Sequence, residues 1–118
     1  MTAAPRPIVL DADGRKRLRA SIAHWKRLAT GQRHPGERCY SDHCALCERW
    51  LGYDCVKPRA DACPVYQATN DSHCYRSPYN AAERTADRFG LDAPEFLAAA
   101  EAELAFLRDL LARAKERP

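Results

Sequence analysis

Apolar positions fall into two long helical stripes separated by a stretch with no sustained period. Leu18, Ile22, Trp25 and Ala29 recur at four, three and four residues, the spacing of one buried helix face. Asp11 or Asp13 suits the N-cap and Gly31 the C-terminal cap, which predicts a basic amphipathic helix over residues 11–31. Near the other end, Phe96, Ala100, Leu104, Leu107, Leu111 and Ala114 step by four, four, three, four and three. That helix is expected to start at Asp92, with Glu95 completing a capping box, and to run for roughly 24 residues. Ser77-Pro78 offers a serine cap and a proline at the first helical position. The shorter helix it opens runs to about Phe89 and stops at Gly90, with Tyr79, Ala82, Ala86 and Phe89 on its apolar face. Residues 1–10, with Pro5, Pro7 and then Ile8-Val9-Leu10, read as an extended arm whose apolar end tucks onto the body.

The stretch between the stripes has punctuation rather than periodicity. Pro35-Gly36 marks residues 32–43 as a loop. Ser41 or Asp42 can cap a short helix ended by Gly52, with Trp50 and Leu51 as its packing surface. Residues 53–76 read as loops, with one turn of helix after Pro64. The pattern therefore predicts a mostly α fold, in which long N- and C-terminal helices pack on a metal-stabilised, loop-rich cysteine region. It reads as a single domain over 1–118, divided into the arm (1–10), the basic helix (11–31), a metal-binding knuckle region (39–76) and a helical C-terminal part (77–117). A stripe as long as the last needs a partner. The first helix offers one. Phe106 and Leu110 widen the stripe, which opens a homodimer through the C-terminal helix as another.

Composition changes the picture most in the middle. All six cysteines fall between Cys39 and Cys74, in the order Cys39-x4-Cys44-x2-Cys47-x7-Cys55-x7-Cys63-x10-Cys74. The two-residue gap in Cys44-Ala45-Leu46-Cys47 lets two thiolates face one ion from a tight turn, and zinc takes four such ligands in a tetrahedron. Cys44, Cys47, Cys63 and Cys74 are the best set for one Zn2+ per chain, with Cys39, Cys55, His43 and His73 as alternates. An even count of cysteines also allows disulfides. The start, M-T-A-A-P-R-P, lacks the apolar core of a signal peptide, so the expectation is a cytoplasmic chain with reduced thiols. Few large aliphatics occur in this region, so burial alone would hold its loops poorly and a structural metal would supply the difference. Thiolate-rich sites also hold iron–sulfur clusters, which leaves a redox or regulatory protein as a second alternative.

Charge narrows the classes of partner. The net +3 conceals an asymmetry. Residues 1–38 carry nine Lys/Arg against three Asp/Glu, residues 39–80 four against five, and residues 81–118 six against eight. Lys16, Arg17, Arg19, Lys26 and Arg27 lie outside the first stripe and form a candidate contact surface for a nucleic acid or a protein. They spread over more than half the helix circumference with no aromatic among them for base stacking, which favours a protein partner. His24 falls on the polar side and reads as a surface histidine. No run of apolar residues is long enough for a membrane span. No H-x-E, H-E-x-x-H, phosphate-cradling glycine loop or G-x-S-x-G occurs, so a non-enzymatic role is expected.

The order H-W-K at residues 24–26, S-D-H-C-A-L-C at 41–47, C-P-V-Y-Q-A-T at 63–69, H-C-Y-R-S-P-Y at 73–79, then E-F-L and L-R-D-L-L, resembles small cysteine-rich proteins of tailed phages and prophages. The likeness covers roughly residues 24–111 and departs at Asn70-Asp71, where a glycine turn is usual, and in the additional Cys39. It implies that Cys44, Cys47, Cys63 and Cys74 are the metal-type positions, framed by Pro64 and Ser77-Pro78-Tyr79, with Cys55 as a further member. It also implies a phage-encoded protein in the cytoplasm of a bacterial host. The Cys39–Cys55 run has a fainter likeness to actinobacterial WhiB-type cluster regulators, without the Gly-Trp-Gly-Gly turn that follows their ligands.

Overall fold

The computed structural model describes residues 8–39, 45–50, 63–69 and 77–116, apart from the side chains of Cys47, Glu48, Lys115 and Glu116. Among these residues the elements run β1 (Ile8–Leu10), α1 (Ala12–Thr30), α2 (Ala45–Trp50), α3 (Pro64–Thr69), α4 (Tyr79–Phe89), α5 (Pro94–Arg113) and β2 (Ala114–Glu116). The fold is mostly helical, and its two long helices pack against each other. No helix of the described residues is long and apolar enough to cross a membrane.

Helix α1 begins where the carboxylate of Asp11 accepts the Gly14 N–H at 2.7 Å, and it ends at Gly31. Its buried face is Gly14, Leu18, Ser21, His24, Trp25 and Leu28. Leu18 and Trp25 are shared with the stripe read from sequence, but Ile22 and Ala29 lie only half-buried at its edge. His24 is a correction: it is buried rather than on the surface, because an acidic partner from the following loop takes up its Nδ1. Gly14 sits where backbone must come close. A Cβ there would meet Leu10 Cδ2 and Asp11 Oδ1 at 3.1 Å and Trp50 at 3.5 Å.

Helix α5 buries Phe96, Ala100, Glu103, Leu104, Leu107 and Leu110, and it lays this face mainly on α1 and α4. The long stripe thus has its partner within the chain. Phe96, Ile8, Leu18, Leu28, Leu107 and Leu110 are among the largest wholly buried side chains. Each contributes about 1.5–3 kcal/mol on leaving water. The expected capping box at Asp92 does not form. Pro94 sets the first turn two residues later, Ala93 occupies the N-cap without a side-chain bond, and Asp92 instead pairs with Arg33 at 3.1 Å. Helix α4 begins one residue later than the Ser77-Pro78 signal implies: Pro78 is its N-cap, without a side-chain cap bond, and the Tyr79 N–H reaches Ser77 Oγ at 3.3 Å. Its buried contact is Ala82. Phe89, expected on the apolar face, is 48% exposed and lies beneath the Arg88 guanidinium at 5.2 Å.

The C-terminal helical part ends earlier than residue 117. Ala114–Glu116 leave the helix and pair in parallel with Ile8–Leu10, Ile8 opposite Ala114, Val9 opposite Lys115 and Leu10 opposite Glu116. The apolar end of the arm, Ile8–Leu10, therefore docks as a strand, with Ile8 and Leu10 buried. Since β1 leads into α1 and β2 leaves α5, this pairing and the Arg33–Asp92 contact at the far end make α1 and α5 antiparallel.

Candidate metal centre

The cysteine-bearing middle meets this helical frame through two short helices. α2 starts one residue after Cys44, and Cys47 is its third residue. It docks on the first turn of α1. Arg49 forks onto Asp11, with its two terminal nitrogens 2.9 and 3.0 Å from the two carboxylate oxygens, and Nη1 also reaches Asp13 at 3.0 Å. The same guanidinium stacks over Trp50 at 4.3 Å, and Leu46 and Trp50 are buried. Arg17 adds a bond from Nη1 to the carbonyl of Ala45 at 3.1 Å, while its Nε holds Asp13 at 2.9 Å. The hydrogen bond from Arg17, and then Arg49, keeps the Asp13 carboxyl below its ordinary pKa.

α3 starts at Pro64, one residue after Cys63, where the sequence predicts a turn of helix after that proline, and it buries Pro64, Val65 and Gln67. Gln67 has no exposed surface. Its carboxamide takes the Val9 N–H on Oε1 at 2.8 Å and gives Nε2–H to the Val9 carbonyl at 2.9 Å. A side chain thus does on one edge of β1 what β2 does on the other.

Of the proposed ligands, Cys63 lies in the core at the head of α3. Cys44 and Cys74, and the alternates Cys55, His43 and His73, lie outside the described residues, as does the side chain of Cys47. Cys39 is buried. Burial pushes its thiol up to about 11; a backbone hydrogen bond opposes it, and the nearby Glu83 and Asp87 carboxylates add smaller upward pushes. Cys39 and Cys63 carry thiols rather than a disulfide bond. No group of three or more His, Cys, Asp or Glu that could hold a metal ion occurs among the described residues. By donor chemistry, Cys63 offers a soft sulfur at the head of a helix anchored to the frame, which suits a thiolate ligand. Cys39, in acidic and dry surroundings, suits a neutral buried thiol.

The basic surface divides in two. Lys16, Arg19 and Lys26 are exposed. Arg17 is committed to Asp13 and the α2 backbone, and Arg27 to Glu37, with Nη2 2.6 Å from Oε2 and Nε 2.9 Å from Oε1. Glu37 closes a Pro-Gly turn in which its N–H reaches the His34 carbonyl at 3.0 Å, with Gly36 at the left-handed φ of 77° that a side chain would resist. Burial works against the Glu37 carboxylate. Hydrogen bonds from Arg27, from His24 Nδ1 at 2.5 Å and from the His34 amide at 2.8 Å outweigh burial, and hold its pKa at about 2. With the carboxylate ionised, Nδ1 of His24 is the donor.

This His24–Glu37–Arg27 cluster is the arrangement sequence reasoning missed. Its one signal is that His24 and Arg27 stand three residues apart on a helix face, ahead of an acidic residue in a tight turn. The pairings of Gln67 and Arg49 have no such local signal. No protein-family model, curated protein or solved structure matches the chain.

Proposed function

We propose that the chain is a small zinc-stabilised, non-catalytic binding module, phage-encoded, that contacts a host or phage protein. One Zn2+ would be held by Cys44, Cys47, Cys63 and Cys74, and its role is to fasten the loops between α2, α3 and α4. The observation that carries this reading is the placement of the two six-residue helices, each starting directly after one of the proposed ligands. Helices this short do not hold themselves in water. An ion tying their starting residues together would fix both, and structural zinc sites contribute about 10–16 kcal/mol in small peptides.

A protein partner is supported over a nucleic acid by the internal pairing of Arg17 and Arg27. Three cations, Lys16, Arg19 and Lys26, then remain exposed of the five candidate contact residues on α1. So few phosphate contacts would give weak binding with only a shallow salt dependence, since the slope scales with the number of contacts. An iron–sulfur protein remains distinct in its colour.

Elemental analysis of freshly purified protein tests the reading. The expected result is one zinc per chain and no visible absorbance. Cys44→Ser, Cys47→Ser, Cys63→Ser and Cys74→Ser should each lower metal content, whereas Cys39→Ser should leave it unchanged. A metal-free chain that keeps its near-UV circular dichroism through prolonged chelation would end the proposal.

A further inference from the structure

The first strand is held in the way a peptide ligand is held. Ile8 and Leu10 fill buried apolar sockets, while Val9 between them turns its half-buried side chain the other way. Both polar groups of the Val9 backbone are read by one wholly buried side chain, the Gln67 carboxamide, at 2.8 and 2.9 Å. The opposite edge of the strand lies along β2 in parallel register. Strand addition in peptide recognition has the same components, in which main-chain bonds supply affinity and alternate side-chain sockets supply selectivity. A free-standing two-stranded ribbon would leave the second edge of β1 bare. Here Gln67 stands where the peptide unit of a third strand would stand, so the slot reads an extended backbone and not merely apolar bulk. What it selects is a pattern, a large aliphatic residue at the first and third positions with freedom at the second.

We infer that this slot is a recognition site for an extended aliphatic-x-aliphatic segment of a partner protein, which the chain's own Ile8–Leu10 fills in cis and which the partner segment displaces. The inference takes the protein-partner reading for its occupant and owes nothing to the zinc reading. Displacement is set by competition. A tethered segment acts at an effective concentration on the order of millimolar. A free segment therefore binds the intact chain weakly, and binds well once the cis strand is weakened.

The test uses the full chain carrying Ile8→Asp and Leu10→Asp, whose carboxylates do not suit apolar sockets. The probe is a fluorescein-labelled synthetic peptide with the sequence of residues 5–12, P-R-P-I-V-L-D-A, read by anisotropy. The double variant should bind it about tenfold or more tightly than the wild-type chain. Methylating the peptide's valine nitrogen, or adding Gln67→Leu to the double variant, should cost about tenfold or more each, since the first removes the N–H donated to Oε1 and the second removes both bonds to the backbone. A folded double variant that ignores the probe, or that takes the N-methylated peptide equally well, overturns the inference. So does a wild-type dimer that exchanges arms while no peptide binds. Should the double variant not fold, the wild-type chain provides the readout. Millimolar probe should shift the Gln67 side-chain amide resonances, and unmoved resonances would overturn the inference. Peptide capture by a chain found to lack zinc would leave the slot standing and remove only the metal reading.

Discussion

Helices α1 and α5 meet through Leu18, Trp25, Leu28, Phe96, Ala100, Leu104, Leu107 and Leu110, on elements of 19 and 20 residues. Helices α2 and α3 have six residues each and reach the same frame through a few buried groups, Leu46, Trp50 and Val65, and through the directional bonds of Arg49 and Gln67. The first contact is broad and nearly all apolar, so its strength is spread over many side chains and no single bond decides it. The second is narrow, and each bond matters to the position of a whole element. A frame of the first kind can be stable on its own while the attached middle opens and closes. That difference is what a metal between the short helices would act upon.

Truncating the frame should give the largest effect. Phe96 has no exposed surface, and Phe96→Ala is expected to cost about 3–5 kcal/mol in urea unfolding, because the cavity adds to the lost transfer energy. A loss below about 1 kcal/mol would mean that the α1–α5 contact is not the core and would erase the contrast between the regions.

The next effect belongs to the buried cluster that ties the loop after α1 to the frame. The Glu37 carboxyl titrates near 4.5 when unfolded and at about 2 when folded. A group whose pKa is lowered by folding stabilises the protein above its unfolded value and loses that contribution as pH falls. Stability should therefore be level above pH 4.5 and decline between pH 4.5 and 2. The whole contribution is at most about 3 kcal/mol. Glu37→Gln should lower stability at pH 7 and flatten that part of the profile. An unchanged slope in the Gln variant would show that other carboxylates govern the acid limb.

Arg49→Lys is a smaller and more local probe. Lysine keeps the charge but cannot fork onto both oxygens of Asp11 or lie flat over Trp50. The groups are partly exposed, so about 1 kcal/mol is expected. It should appear as faster hydrogen exchange in the α2 amides, with the α5 amides unmoved. Equal acceleration in both helices would show that α2 and the frame unfold as one unit.

The same contrast explains what could be read from the chain. Phe96, Ala100, Leu104 and Leu107 announce α5 because apolar burial along a helix leaves a period in the sequence. Asp11, Gly31 and Pro64 mark element ends because capping is local chemistry. The helical period puts His24 on the surface because its burial depends on Glu37, which arrives from a later turn and leaves no mark beside the histidine. Ala114-Lys115-Glu116 has the composition of a helix, and pairing with Ile8–Leu10 overrides that preference from a hundred residues away. The double bond between Gln67 and Val9 is equally remote. Cys63 stands at the head of a short buried helix, while Cys44, Cys74 and the side chain of Cys47 lie outside the described residues.

The smallest effect is expected on the outer face of α1, where it separates folding from binding. Lys16, Arg19 and Lys26 are exposed, unlike Arg17 and Arg27, which hold Asp13 and Glu37. Changing the three exposed residues together to Glu should alter stability by no more than about 0.5 kcal/mol per site, the range of surface substitutions that touch nothing. Changing Arg27 to Glu instead would set two carboxylates together at a buried position and should unsettle the turn that Glu37 closes. If the triple variant keeps its melting temperature but no longer retains a partner that the wild-type chain retains from a cell extract, the outer face of α1 is a binding surface. If it keeps the partner as well, these cations only solvate the helix, and binding must lie on another surface, with the β1 slot the next to test.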